Sequence, residues 1–121
     1  VPIPLGDPAL FTAVPEWQAY IRNDSLALHR TTVSFLAASR ALDHSAAAVA
    51  DRLYCPTLLM LAGRDRIIDN PATQRYYTRI ASQSKTLIEY PNAAHTLEFE
   101  PDREVFLNDL TAWLDSVRGC Y

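Results

Sequence analysis

At 121 residues, with 49% hydrophobic residues and a formal net charge of −3, the chain is long enough for one modest core and offers no basic surface for a nucleic acid. No apolar run approaches the roughly 20 residues of a membrane span, and the first residues lack the basic-then-apolar layout of a signal peptide. Cys55 and Cys120 make neither a metal-ligand spacing nor a disulfide framework, so compartment stays open, a soluble cytoplasmic chain being slightly favoured.

Val1 to Pro15 is proline-rich and carries Gly6, which predicts an extended connection with at most a short helical turn around Ala9 to Thr12. Pro15 opens a helix that runs to Arg22 and presents Trp17, Tyr20 and Ile21 on one side. Asn23-Asp-Ser25 breaks it. The pattern Leu28, Thr32, Phe35, Leu36, Ser39, Leu42 predicts an amphipathic helix from Leu26 to Leu42. Asp43-His-Ser45 is then expected to cap a separate alanine-rich helix, Ala46 to Leu53. His29 and His44 read as surface residues, and Cys55 as a core residue where a strand begins.

The stretch from Cys55 to Glu100 organises the rest. Pro56-Thr-Leu-Leu-Met-Leu-Ala62 is a continuous apolar run closed by Gly63 and a charged turn, as expected of a strand buried on both faces. Asp65 sits in that turn. Asn70 can cap and Pro71 can open a helix, with Ala72, Tyr76, Tyr77 and Ile80 on one side. Lys85 to Tyr90 makes a second strand, Pro91-Asn-Ala-Ala ends it, and His95 follows. Two strands joined by a crossover helix normally lie parallel, so both C-terminal ends meet on one sheet edge, where open parallel sheets bind ligands. Neighbouring strands are about 4.8 Å apart, which brings Asp65 and His95 within reach of each other. A carboxylate so placed orients an imidazole and stabilises its charged form, leaving the other ring nitrogen to activate a hydroxyl or thiol nucleophile.

After His95, Pro101-Asp-Arg-Glu is a helix opening with acidic residues near the positive end of the dipole. Phe106, Leu110, Trp113, Leu114 and Val117 recur at helical spacing and predict a helix packed on the sheet and ended by Arg118-Gly119.

Each candidate has a plainer rival role. Asp65 suits a turn in which its carboxylate accepts backbone amides. Asp69 reads as a helix-capping group together with Asn70. Glu98 and Glu100 read as solvated or capping groups, and a carboxylate close to His95 would raise the imidazole pKa. Arg64 and Arg66 suggest ion pairs at the sheet edge, or contact with a substrate head group. A metal site drawn from Asp65, Asp69, His95 and Glu98 has no two members at a recognised ligand spacing, so neither metal nor cofactor is expected.

The residues Pro56-Thr-Leu-Leu-Met-Leu-Ala-Gly-Arg-Asp-Arg-Ile-Ile-Asp69 and Lys85-Thr-Leu-Ile-Glu-Tyr-Pro-Asn-Ala-Ala-His-Thr-Leu97 resemble the C-terminal part of an α/β-hydrolase of the monoacylglycerol lipase or lysophospholipase-like kind. The resemblance implies parallel strands with covering helices, Asp65 as the triad acid and His95 as the base. It also implies a lipid-like carboxylic ester as substrate. The family's nucleophile is a Ser in a Gly-x-Ser-x-Gly elbow. This chain has only Gly6, Gly63 and Gly119, none beside a Ser, so the nucleophile and the N-terminal part of the same fold are expected to lie outside it. The only Met is Met60, inside a strand, and the first residue is Val1, which also reads as a fragment. Residues 1–53, with the aromatic stretch Asp7 to Leu42, stand where such proteins carry a lid over an acyl pocket; ordinary core helices are the rival reading. Residues 54–121 form the strand-helix-strand-helix part. The alternative to an enzyme part is a non-catalytic interaction unit, because half a sheet leaves an unpaired edge that invites self-association.

Overall fold

The computed structural model describes residues 1–118. Gly119 and Cys120 lie outside the described residues, and with them the expected helix stop and one of the two thiols.

The apolar run forms β1 (Thr57–Ala62), and Lys85–Tyr90 forms β2. The two pair in parallel, with Thr57 opposite Lys85 and Ala62 opposite Tyr90, so their C-terminal ends share one edge as the crossover argument requires. Burial on both faces is reached only at Leu61 and Ala62; the first four residues of β1 are half-buried. The cause is the short sheet: among the described residues β1 has a neighbour on one side only. Cys55, expected in the core, is exposed for the same reason.

The crossover is α3 (Asn70–Arg79). Its cap is Asp69, whose Oδ1 accepts the Ala72 amide at 2.9 Å, whereas Asn70 is already the first helical residue. Asn70 serves the sheet instead, donating from Nδ2 to the Ala62 carbonyl at 2.7 Å. At the other end Lys85 Nζ donates to the carbonyls of Tyr77, Thr78 and Ile80, at 3.3, 3.4 and 2.8 Å. A cation there satisfies carbonyls that the helix leaves unpaired and complements the negative end of its dipole. One residue thus ends the helix and starts the next strand.

β2 leads to α4 (Arg103–Val117). Tyr90 joins them: its hydroxyl donates to Asp109 Oδ2 at 2.8 Å, and its ring meets Phe106 edge-on at 6.3 Å. Burial, together with the Asp109 carboxylate beside it, pushes the Tyr90 hydroxyl well above the ordinary phenol range. Phe106, Leu110, Trp113 and Val117 are half-buried as the spacing predicts, but Leu114 is 47% exposed because nothing described lies against its side of the helix.

The N-terminal half departs most from expectation. Pro8–Leu10 forms a 3₁₀ turn and α1 (Pro15–Asn23) follows. The connection before α1 is no loose lead: Pro8 and Thr12 are buried, and Thr12 accepts the Val14 amide through Oγ1 and the Gln18 side chain through its carbonyl. Where a helix was expected from Leu26, Asp24 closes a turn on the amides of Leu26 and Ala27, and the chain then runs beside the N-terminus, Ile3 donating its amide to His29 and Thr31 to Val1. The helix α2 (Val33–Val49) starts later, with Thr32 Oγ1 accepting the Phe35 amide as its cap. It then runs straight through Asp43-His-Ser45, where two helices were expected, because Ser45 turns its hydroxyl back onto the Ala41 carbonyl at 3.0 Å instead of capping. Among the described residues only its last turn is held by side chains of another element, Tyr76 and Arg79 of α3 on the carbonyls of Ala46 and Ala47.

The core is small: Ala50, Leu61, Ala62, Ile80 and Ala93. Accessible surface is 8620 Å² for 13.6 kDa, against about 6,600 Å² for a compact monomer of this mass.

Candidate active site

The two turns that follow the strands are laced together. Gly63 donates its amide to Tyr90 O at 2.8 Å and Arg64 to Ala93 O at 2.9 Å. Gly63 is needed for this approach: a Cβ there would stand 2.6 Å from the Cα of Pro91 and 2.8 Å from its carbonyl oxygen, both backbone atoms that a rotamer change cannot move.

That close seam brings Asp65 and His95 together, Oδ2 to Nδ1 at 2.8 Å. The other carboxylate oxygen, Oδ1, accepts the amides of Ile67 and Ile68 at 2.8 and 2.9 Å. Asp65 therefore closes its own turn with one oxygen and meets His95 with the other. Its side chain is 6% exposed, that of His95 29%. Burial of the carboxyl works against ionisation, but the Ile68 amide, the His95 ring and the Ile67 amide outweigh it and hold Asp65 below the usual carboxylate range. An ionised carboxylate accepts only, so Nδ1 carries the proton that it receives. The lone pair is then on Nε2, which has no partner among the described residues.

The other candidates separate. Asp69 caps α3, and Glu98 is exposed. Arg64 and Arg66 make no ion pair among the described residues; Arg64 donates instead to Asn92 Oδ1 at 2.8 Å, between the two turns. Of the four side chains weighed as a metal set, only Asp65 and His95 meet, and the described residues hold no group of three such ligands. His29 and His44 are exposed.

Glu100, read as a solvated or capping group, is half-buried and caps: its Oε1 accepts the Ala94 amide at 2.9 Å. Two contributors were not expected. Phe11 accepts the Thr96 amide on its carbonyl at 2.9 Å and sets its ring against His95, centroids 5.8 Å apart at 72°. Trp17 of α1 stacks on Phe99 at 4.4 Å, with Tyr20 edge-on to both. The proline-rich approach that holds Phe11 has no periodic signal, and the helical spacing of Trp17 and Tyr20 does not say which distant segment they meet.

Comparison with known proteins places the chain among hydrolases. The family described as serine aminopeptidase S33, a group of hydrolases, matches residues 4–102. A monoacylglycerol lipase of Mycolicibacterium smegmatis is 31% identical over 64 residues, 53% of this chain and 23% of the relative, so the match spans under a quarter of that protein's length. With the family matched over most of the chain and the parallel pair of strands in place, this protein belongs to the serine aminopeptidase S33 family of the α/β-hydrolase superfamily.

Proposed function

We propose that this chain carries the acid and base of a serine ester hydrolase, with the nucleophilic Ser supplied by polypeptide outside these residues. The observation that carries the reading is the 2.8 Å contact between Asp65 and His95 at the sheet edge, with the second carboxylate oxygen tied to two amides. In the complete site His95 Nε2 takes the proton of the Ser hydroxyl as it attacks the ester carbonyl, then gives that proton to the departing alcohol. Asp65 holds the reactive tautomer and stabilises the imidazolium. Water repeats the cycle on the acyl-enzyme, releasing the carboxylic acid.

The substrate class we favour is a lipid-like carboxylic ester of the monoacylglycerol or lysophospholipid type. Two findings support it: the relative named a monoacylglycerol lipase, and a mainly apolar groove of about 410 Å³ lined by Ile3, Leu5, Phe11 and Leu28, with Arg22 and His29 also on its wall. Phe11 also touches the His95 ring, so an acyl chain in this groove would lead toward the base. In this reading residues 1–53 act as the lid and residues 54–121 as the rear of the hydrolase core.

Labelling with a fluorophosphonate probe, in parallel on this chain and on the full-length protein, tests the proposal. Labelling of the full-length protein alone, lost on His95→Ala, is the expected result. If neither is labelled the acyl-transfer reading fails, and labelling of the isolated chain would mean that one of its own Ser residues is nucleophilic.

A second reading has its own support. Surface well above that of a compact monomer, with Leu26, Leu28, Val33 and Leu42 each at least 69% exposed, suits a unit that associates through its open side. A concentration-independent monomer in analytical ultracentrifugation would remove it.

A further inference from the structure

His95 is flanked by two hydrogen-bonded amides. The amide before it, Ala94 N, donates to Glu100 Oε1, and the one after it, Thr96 N, donates to Phe11 O, both at 2.9 Å. Thr96 N lies in the peptide plane that leaves His95, and Ala94 N in the plane one residue before the one that enters it, so the backbone is pinned on both sides of His95 and the Asp65 bond fixes the ring. The clamp before His95 is local. Phe99 donates its amide to Thr96 O at 3.0 Å and Glu100 to Leu97 O at 3.2 Å, a tight 3₁₀ turn that brings Glu100 back over Ala94. The Trp17–Phe99 stack packs on that turn from outside.

We infer that Glu100 is a positioning residue for His95, acting through the Ala94 amide to fix where the imidazole stands at the sheet edge. This rests on the acyl-transfer reading. A half-buried amide that loses its acceptor oxygen must turn to find water. Such a turn moves the residue next in the chain, which is His95. A displacement near 1 Å in a reacting group lowers turnover by about 10²-fold. A merely structural Glu100 would lower stability and leave the rate of the folded enzyme intact.

The test uses the full-length protein, hydrolysis of p-nitrophenyl butyrate, and three substitutions. Glu100→Gln keeps an acceptor oxygen at the same reach without the charge; Glu100→Asp keeps the charge and withdraws the oxygen by one methylene; Glu100→Ala removes both. The expected result is Gln within about threefold of wild type, and Asp and Ala with kcat lowered roughly 10- to 100-fold at nearly unchanged KM. The downfield Nδ1 proton resonance of His95 should stay sharp in the Gln variant and broaden in the Asp variant. Wild-type turnover in the Asp variant overturns the inference, as does a Gln variant no better than Asp. If the Ala variant does not fold, the contrast between Gln and Asp decides alone. Loss of fluorophosphonate labelling on His95→Ala with no response at Glu100 sinks only the positioning role. A full-length protein without labelling or turnover sinks the acyl-transfer reading, and the proton resonance then decides whether Glu100 orders His95.

Discussion

Residues 57–100 and residues 33–49 both carry strong apolar content, and they end in opposite environments. In the first, every turn is closed by a bond to its neighbour: Gly63 to Tyr90, Arg64 to Ala93, Lys85 to the end of α3, Glu100 to Ala94. In the second, α2 exposes Val33 by 70%, Phe35 by 62% and Leu42 by 69%, and among the described residues only its last turn is anchored by side chains of another element. Apolar pattern alone therefore does not make a core. The strand-bearing region is ordered by polar closure across short gaps, which it supplies for itself. The helix needs a large apolar partner, which the described residues do not provide.

The largest expected effect breaks the ordered region at its chemistry. Asp65→Asn in the full-length protein removes the negative charge beside Nδ1 and allows the wrong tautomer, so kcat should fall about 10⁴-fold with the fold intact. A turnover assay with a folded circular dichroism spectrum checks it, and a rate near wild type would dismiss the acid role. Next is the seam itself. Gly63→Ala sets a methyl against the Pro91 backbone at 2.6 Å, so the two turns must part. A loss of roughly 1–3 kcal/mol is expected, read as a lower urea midpoint at constant slope. An unchanged midpoint would mean that the turns separate freely and that the seam does not hold Asp65 to His95.

Acid should weaken the same seam. Asp65 titrates below its unfolded value, so the stability that its ionisation contributes is fully present above the unfolded pKa of about 3.9 and is lost as pH falls through the lower folded value. Urea midpoints of wild type and Asp65→Asn measured down this range should converge as the pH drops. Parallel curves would mean that the carboxylate is no better stabilised folded than unfolded.

How much of this the sequence revealed follows the same division. The strands, the crossover helix and the terminal helix were legible because β1, α3, β2 and α4 are bounded by local signals: Gly63, Pro71, Pro91 and Pro101. Asp65 and His95 were legible because topology alone puts the ends of parallel strands on one edge. The start of α2 was not, since Thr32 outcompetes the apolar pattern from Leu26 only once residues 29–31 bond to the backbone of residues 1–3. Its passage through Asp43-His-Ser45 was hidden because a Ser can cap a helix or bond backward within one, and sequence does not choose. The exposure of Cys55 and Leu114 was unreadable for a different reason: periodicity marks the face that wants burial, not whether a partner is present. Phe11 escaped because a contact between residues 11 and 95–96 has no period to detect, and for Glu100 the capping reading named no partner amide.

The smallest expected effect lies on α2, and it sharpens the comparison because its size depends on what covers the helix. In the isolated chain Leu42→Ala removes a side chain that is 69% exposed, so the urea midpoint should shift by no more than about 0.5 kcal/mol equivalent. If α2 packs as a lid or core helix in the full-length protein, the same substitution opens a cavity there and costs about 2–5 kcal/mol. A large loss confined to the full-length protein would show that this helix is built for a partner supplied by the rest of the fold. Equal and small effects in both would leave α2 solvated, and its apolar stripe would then have to serve substrate or a second protein.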